Sequence, residues 1–364
     1  MVYVEEAGKH MYFNNLTNEQ RQRLIDVQQR AEALRLLDRD LRRRFAGWMT
    51  WRESKGHEYL VRRNGRTEKS LGVRSPSTED SFKAFSSGKA AAEERRNGLR
   101  QVLQGMARVN RAMDLGRVPS LVGRILRRLD EAGVLGEQVC VVGTNALFAY
   151  EARAGVRFET DLLATGDIDI ALDARRNLAL AGKTMPEGLL GALRKVDKTF
   201  APIADASFRA VSAGGMMVDL ITPEPKQVMS VSPRRKRRLG GRAEFMAVED
   251  IEAVEVPRLE MIVDAPRMTA VAVAEDGLPV WIPAADPRWW AAHKLWLASE
   301  PSREPVKRQR DRDQGLAVAQ LLALAWGEAD MSDEALASIP VPLRQQLRQA
   351  LLEAQEGVGD EPEW

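Results

Sequence analysis

The chain has 364 residues, 44% of them hydrophobic and 29% charged, with a formal net charge of +2. That apolar share builds a sizeable core and excludes a wholly disordered chain, and no apolar run approaches the roughly 18 residues of a membrane-spanning helix. The charge is uneven: residues 1–130 hold 27 Lys and Arg against 16 Asp and Glu, a local net of +11, leaving −9 for the remainder. A basic front half suits a polyanionic partner such as nucleic acid, or an arginine-rich solvated helix face. The length suits two or three domains. Cys140, the one cysteine, sits in the apolar run VCVVG; it reads as a small buried hydrophobe of a reducing cytoplasm. MVYVEEAGKHMYF lacks a basic start followed by an apolar block, so no signal peptide is expected there.

In chain order, residues 17–46 read as a long amphipathic helix. Thr17 and Gln20 have capping-box spacing, and Leu24, Val27, Ala31, Leu34, Leu37 and Leu41 recur at helical period. Asn64-Gly65 signals a hairpin between strands at about 58–63 and 66–71. Arg62, Arg63, Arg66 and Lys69 give it a basic character suited to an RNA backbone or to edge-strand protection. SPSTEDSFKAF opens a second helix, and helical material continues to about residue 133 with a break near Pro119. Then the period changes. QVCVVG is a short buried strand, Thr144–Ala152 a helix, Gly166–Leu172 a strand and 186–197 a helix. FRAVSAG and MMVDLIT form a hairpin turning at Gly214-Gly215, ended by Pro223 and Pro225. PRRKRRLGGR reads as a loop, with the basic run Arg234–Arg238. Residues 243–283 are strand-rich, PRWWAAHKLWLAS and KRQRDRDQGLAVAQLLALAWG are helices, DMSDEALASIP starts a last helical pair, and GVGDEPEW is a frayed tail. The expected division is 1–133 (basic, mainly helical), 134–284 (a core with a strand-rich extension) and 285–364 (a helical lobe).

The chemistry concentrates in GTNALFAYEARAGVRFETDLLATGDIDIAL, residues 143–172. On a strand Asp167 and Asp169 share a face, while Ile168 and Ile170 face the core. Side-by-side carboxylates repel unless a cation sits between them, and an oxygen-only donor set suits a hard divalent ion. Asp219, in Met217-Val218-Asp219-Leu220-Ile221, is a third acid in an apolar strand. Should the two strands be neighbours, three carboxylates converge as in two-metal sites. Gly143-Thr144-Asn145 opens a helix beside them, a ready phosphate site. The implied reaction moves NMP from NTP to an acceptor, with loss of pyrophosphate. Lys294 could reach a triphosphate as a point charge, or His293, Trp289, Trp290 and Trp296 could mark the same helix as packing. Lys307, Arg310 and Asp311 share a helix face that lines the cleft or forms a solvated ion-pair ladder. No histidine has zinc-ligand spacing.

Gly143-Thr144, Asp167-Ile168-Asp169 and Asp219 together resemble the polymerase-β-like nucleotidyltransferase superfamily, whose pattern is glycine-Ser/Thr, Asp-x-Asp and a distal Asp. SLGVRSPSTE, GTNALFAYEARAGVRF, TGDIDI and HKLWLAS followed by Lys307, Arg310, Asp311 and Gln314 are similar to a bacterial family of nucleotidyltransferase-fold proteins over roughly residues 58–325. A more distant likeness is to the nucleotidyltransferases of abortive-infection and toxin–antitoxin systems. The resemblance implies an α+β fold with a small mixed sheet and helical flanks, and an NTP-dependent enzyme of the cytoplasm. It implies Asp167, Asp169 and Asp219 as catalytic metal ligands for two magnesium ions (manganese as substitute), and Gly143, Thr144, Asn145, Lys294, Lys307 and Arg310 about the nucleotide. RNA, specifically tRNA, is the favoured acceptor through the basic front half and Arg234–Arg238, in a toxin–antitoxin or phage-defence setting with a cognate antitoxin. The alternatives are a non-enzymatic nucleotide- or nucleic-acid-binding module and an aminoglycoside-type small-molecule nucleotidylation. This chain departs from the pattern in Thr144, where Ser is usual, and in the 22 residues between Thr144 and Asp167. The insert GVRFETDLLAT is expected to form an extra turn or short strand and to bring Asp161 near the site, where Asp161 or Glu151 could assist or simply lie at the surface.

Overall fold

The computed structural model describes residues 10–65, 67–173, 187–224, 250–326, 331–332 and 334–355. The basic run Arg234–Arg238, Arg66 and the tail GVGDEPEW lie outside the described residues. The chain divides into two compact units. One comprises Met1–Arg21, Gly116–Glu275 and Val280–Trp364; the other comprises Gln22–Leu115 with Asp276–Pro279.

In the second unit most of α1 (Asn18–Arg43) runs antiparallel to α2 (Pro76–Ala112), Arg23 meeting Asn110 at one end and Asp38 meeting Arg100 at the other. Arg23 donates to the Asn110 side chain (2.8 Å) and to the Met106 carbonyl (3.1 Å). The expected capping box of α1 is present, Gln20 N to Thr17 Oγ1 at 3.2 Å and Thr17 N to Gln20 Oε1 at 3.1 Å. Leu24, Val27, Ala31 and Leu41 are buried, whereas Leu34 and Leu37 are half-buried. α2 starts sharply because Ser75 and Thr78 cap each other and Pro76 stands in the first turn, where its missing N–H costs nothing.

The expected hairpin is instead a three-stranded antiparallel sheet, β2 (Trp48–Ser54), β3 (His57–Asn64) and β4 (Thr67–Val73). β2 escaped the sequence reading because its turn, Lys55-Gly56, uses a lysine at φ 52°, which no turn propensity announces. Asn64 also stays in the strand, paired with Thr67, rather than occupying the turn. One sheet face packs on α2: Arg62 lies over the Phe85 ring (5.0 Å), and Trp51 meets Phe82 (5.9 Å) under Arg74 (5.1 Å).

The first unit is built on a mixed sheet in the order β5-β7-β10-β9-β8, with β11 beside β10. Its strands are β5 (Val139–Val142), β7 (Asp167–Leu172), β8 (Ala201–Ile203), β9 (Ala206–Val211), β10 (Met217–Pro223) and β11 (Val254–Val256). β7 and β10 run parallel, while β5 and β9 are antiparallel to their neighbours. Ile168, Ile170, Val218 and Leu220 enter the main core with α3 (Ser120–Glu131) and α6 (Gly188–Val196). On the other face a smaller cluster of Cys140, Val142, Ala171 and Leu259 forms with α7 (Glu260–Asp264). Pro223 is the last residue of β10 rather than a residue beyond it.

The segment after β5 corrects the expected Thr144 helix start. Gly143–Ala146 is a 3-10 turn, and the α-helix α4 runs Leu147–Ala154. The insert forms β6 (Val156–Phe158) and the single turn α5 (Thr160–Leu163). β6 pairs antiparallel with β1 (Phe13–Asn15), a strand too short to leave a periodic signal. A hairpin β12 (Arg267–Val273) and β13 (Pro279–Ala285) leads to α8 (Pro287–Ser299), α9 (Pro305–Leu324) and α10 (Val341–Gln355). The expected last helical pair reduces to α10, since residues 334–338 make turns. The described fold is α+β, with small sheets and many helices.

Candidate active site

Register brings the acids together. Parallel pairing sets Asp219 directly across from Asp169, and Met217 across from Asp167. Two residues per strand repeat return Asp167 and Asp169 to one face. One carboxylate oxygen from each of Asp167, Asp169 and Asp219 lies within 4.8 Å of the others. Like charges directly opposite on neighbouring strands destabilise a sheet, so this arrangement calls for a cation.

The structure supplies one cation itself. Arg209, on β9 directly across from Asp219, donates Nε and a terminal nitrogen to its two oxygens at 2.6 and 2.5 Å. This forked pair holds the Asp219 carboxylate in one orientation. The sequence reading passed over Arg209. Its signal was the hairpin: an antiparallel partner facing an acid is the position where a counter-charge belongs. Among the described residues Asp169 has no such partner. Burial, then the charges of Asp167 and Asp219, push its carboxyl up to about 7 from an ordinary value of 3.8, against the pull of Lys294 and Arg209. Asp167 accepts a short hydrogen bond from the Thr165 hydroxyl.

The glycine turn fits against this cluster. Gly143 has φ 63°, and a Cβ there would stand 2.3 Å from Asp169 Oδ2. The position is therefore closed to any side chain, on conformational grounds and on space. Its carbonyl accepts the indole N–H of buried Trp290 at 3.2 Å. Asn145, also buried, donates to the Asp167 carbonyl at 2.8 Å, while its own Oδ1 is buried without a hydrogen-bond partner. The Thr144 hydroxyl accepts from Gln314 Nε2 (3.2 Å) and Arg310 (3.4 Å), and Arg310 also reaches the Ala164 carbonyl.

These observations decide the class of the molecule. A family model described as nucleotidyltransferase matches residues 120–339. The chain belongs to this nucleotidyltransferase family. Searches of curated proteins and of solved structures return no match. The matched span of this nucleotidyltransferase enzyme includes all three acids, Gly143 and the α8–α9 helices.

Several expected residues of the nucleotidyltransferase stand differently from the reading of the sequence. Lys294 is buried, lies 5.2 Å over the Trp290 ring, and pairs with Asp311 Oδ1 at 2.7 Å. Asp311 takes Arg303 on its other oxygen at 2.6 Å. Lys307 and Arg310 are not both at the glycine turn: Lys307 is exposed and pairs with Glu304 at 3.1 Å. Helical spacing alone does not fix the partner: Lys307 stands in the first turn of α9 beside Glu304, and Arg310 lies a turn further on. Asp161 is exposed and stands outside the acid cluster. Glu151 is structural: it holds Arg117 (2.9 Å) and the Phe158 N–H (2.6 Å), tying α4 to β6. His293 packs against Trp296 with ring centroids 5.7 Å apart.

The donor set suits a divalent cation. It is all carboxylate oxygen, buried and crowded enough to push Asp169 toward neutrality, and it sits on the inner strands β7 and β10 of an otherwise apolar sheet. The three-Asp cluster of this nucleotidyltransferase could therefore hold a metal ion.

Proposed function

We propose that the protein transfers a nucleotidyl group from an NTP to an acceptor hydroxyl on a polymerase-β-like core, with Asp167, Asp169 and Asp219 as magnesium ligands. The observation that carries this reading is the convergence of the three acids beside Gly143, whose side-chain space is filled by Asp169. Magnesium held by these oxygens supplies charge stabilisation for the transferred phosphoryl group and for the departing pyrophosphate.

The chain's own groups do the rest. The 3-10 turn Gly143–Ala146 offers backbone N–H groups to the β- and γ-phosphates, and the Thr144 hydroxyl adds a donor. Arg310, already at Thr144, is the cation best placed to support them, ahead of Lys307. Lys294 contributes positive potential from within the protein, held in place by Asp311. The acceptor oxygen bonds the α-phosphorus as the bond to the β-phosphate oxygen breaks, and the hydroxyl proton passes to a carboxylate of the cluster, Asp219 in this assignment. Arg209 keeps Asp219 turned toward its neighbours. We favour RNA as the acceptor, because residues 22–115 hold 21 Lys and Arg against 12 Asp and Glu, a net of +9.

The test incubates the protein and magnesium with each α-labelled NTP and total bacterial RNA, beside the Asp167→Ala/Asp169→Ala variant. Label on RNA that disappears in the variant is the expected result. Label on protein moves the acceptor to a side-chain hydroxyl. Absence of label in both fractions, from folded protein, refutes transfer to a macromolecule.

A further inference from the structure

The three-stranded sheet of residues 48–73 has two faces, and only one is accounted for by packing on α2. Alternation along the strands assigns Trp51, Leu60, Arg62 and Glu58 to the packed face, consistent with the ring contacts to Phe82 and Phe85. The other face carries Trp48 and Arg52 on β2, half-buried Tyr59 and Arg63 on β3, and Glu68 beside Arg63 on β4, with buried Val61 between the two rows. The register pairs Trp48 with Arg63 and Arg52 with Tyr59. Each row therefore presents one aromatic ring beside one guanidinium. The two rows are four residues apart, about 13 Å along the strands.

This pattern is not what a solvated face needs. Trp48 is 48% exposed and Val73, on the edge strand, 47%. A large aromatic left in water at a strand end, with an arginine opposite, costs burial that the α2 face could have given it. Among the described residues Arg52 is held by an exposed ion pair with Glu68 (2.6 Å), whose two side chains are 64% and 37% exposed. Such a pair contributes about 1 kcal/mol or less, so a phosphate could take the guanidinium from Glu68 at little cost. The surrounding unit has a net charge of +9 over residues 22–115, which favours a polyanion over a protein or a second copy of the same basic surface.

We infer that this sheet face is a stacking platform for single-stranded RNA, with Trp48 and Tyr59 each receiving a base and Arg63 and Arg52 the flanking phosphates. Open sheets with spaced aromatics bind single strands in this way, because every base offers a ring face and the arginines follow the backbone. The inference deepens the RNA-acceptor reading above and rests on it for the identity of the polymer. The binding itself needs neither NTP nor metal.

The experiment measures fluorescence anisotropy of a labelled single-stranded RNA of about twelve nucleotides, with the full chain in EDTA. A single-stranded DNA and a duplex RNA of the same sequence are the comparison probes. Wild type is expected to bind the single strands more tightly than the duplex. Trp48→Ala and Tyr59→Ala should each weaken binding about ten-fold, while Trp48→Phe, which keeps a ring, stays near wild type. Arg63→Gln should lower the salt slope by roughly 0.7. Asp167→Ala/Asp169→Ala should bind like wild type, so loss of catalysis and loss of the platform separate. Preference for RNA over DNA ties the platform to the acceptor; equal binding leaves the platform standing and overturns its assignment to RNA. Unchanged affinity in both alanine variants, or no binding by wild type, overturns the platform. So does a wild-type dimer that Trp48→Ala dissociates, which would assign the face to a second copy.

Discussion

Replacing Gly143 by alanine tests the geometry of the acid cluster most directly. The added Cβ would stand 2.3 Å from Asp169 Oδ2, whereas ordinary contacts begin near 3.4 Å, so the carboxylate must retreat by about 1 Å. The backbone stays at φ 63°, where an L side chain costs about 1–2 kcal/mol. Gly133 isolates the two effects. It has φ 75° with nothing within 4 Å of where a Cβ would stand, so Gly133→Ala incurs the conformational cost alone. Forcing a methyl into the filled space at Gly143 adds about 1–3 kcal/mol. The larger consequence is catalytic, since misplacing a reacting group by 1 Å costs on the order of 100-fold. The assay pairs urea unfolding with pyrophosphate release from NTP and acceptor. Gly143→Ala should unfold more readily than Gly133→Ala and lose about 100-fold in rate, while Gly133→Ala keeps its rate. Equal stabilities with a Gly143→Ala rate within two-fold of wild type would refute the close approach of Asp169 to the glycine turn.

Three further outcomes follow from the same cluster and its supports. Asp169 has a folded pKa of about 7 against an ordinary 3.8, so the folded state keeps the proton longer than the unfolded chain. Its contribution to stability is full below about pH 4 and is lost as pH rises toward 7. In EDTA, the melting temperature of Asp169→Asn relative to wild type should therefore climb between about pH 4 and pH 7 and level off above; a difference that is flat with pH removes the claim. Arg209→Gln takes away the counter-charge bonded to Asp219. Thermal melts should show it less stable in EDTA and more strongly raised by magnesium than wild type, and an unaltered magnesium shift contradicts this. Asp311→Ala leaves buried Lys294 without its carboxylate, and should cost about 3–5 kcal/mol in urea unfolding. Lys307→Ala, at an exposed pair, should stay within about 0.5 kcal/mol; similar losses from both would put Lys307 inside a network the structure does not show.

Much of the local structure was legible from residue type and period. The Thr17–Gln20 capping box, the buried strand at Cys140, the acidic strand at Asp167 and the hairpin that carries Asp219 all follow from side-chain alternation and capping chemistry, which act within a few residues. The pairing of Asp167 with Asp169 on one face also needed only the two-residue strand repeat.

What neighbours what was decided by tertiary structure. No spacing says that β10 lies parallel to β7 with Asp219 opposite Asp169, because strand order is set by how both faces of the whole sheet bury. The same holds for Arg209, whose role exists only once β9 is folded back on β10. Lys294 shows the limit most clearly. As a lysine on a helix it reads as a free cation, yet the packing of α8 against α9 gives it Asp311 and buries it. Local rules specify the face a residue occupies. Which charge stands across from it depends on long-range packing that no single segment of sequence contains.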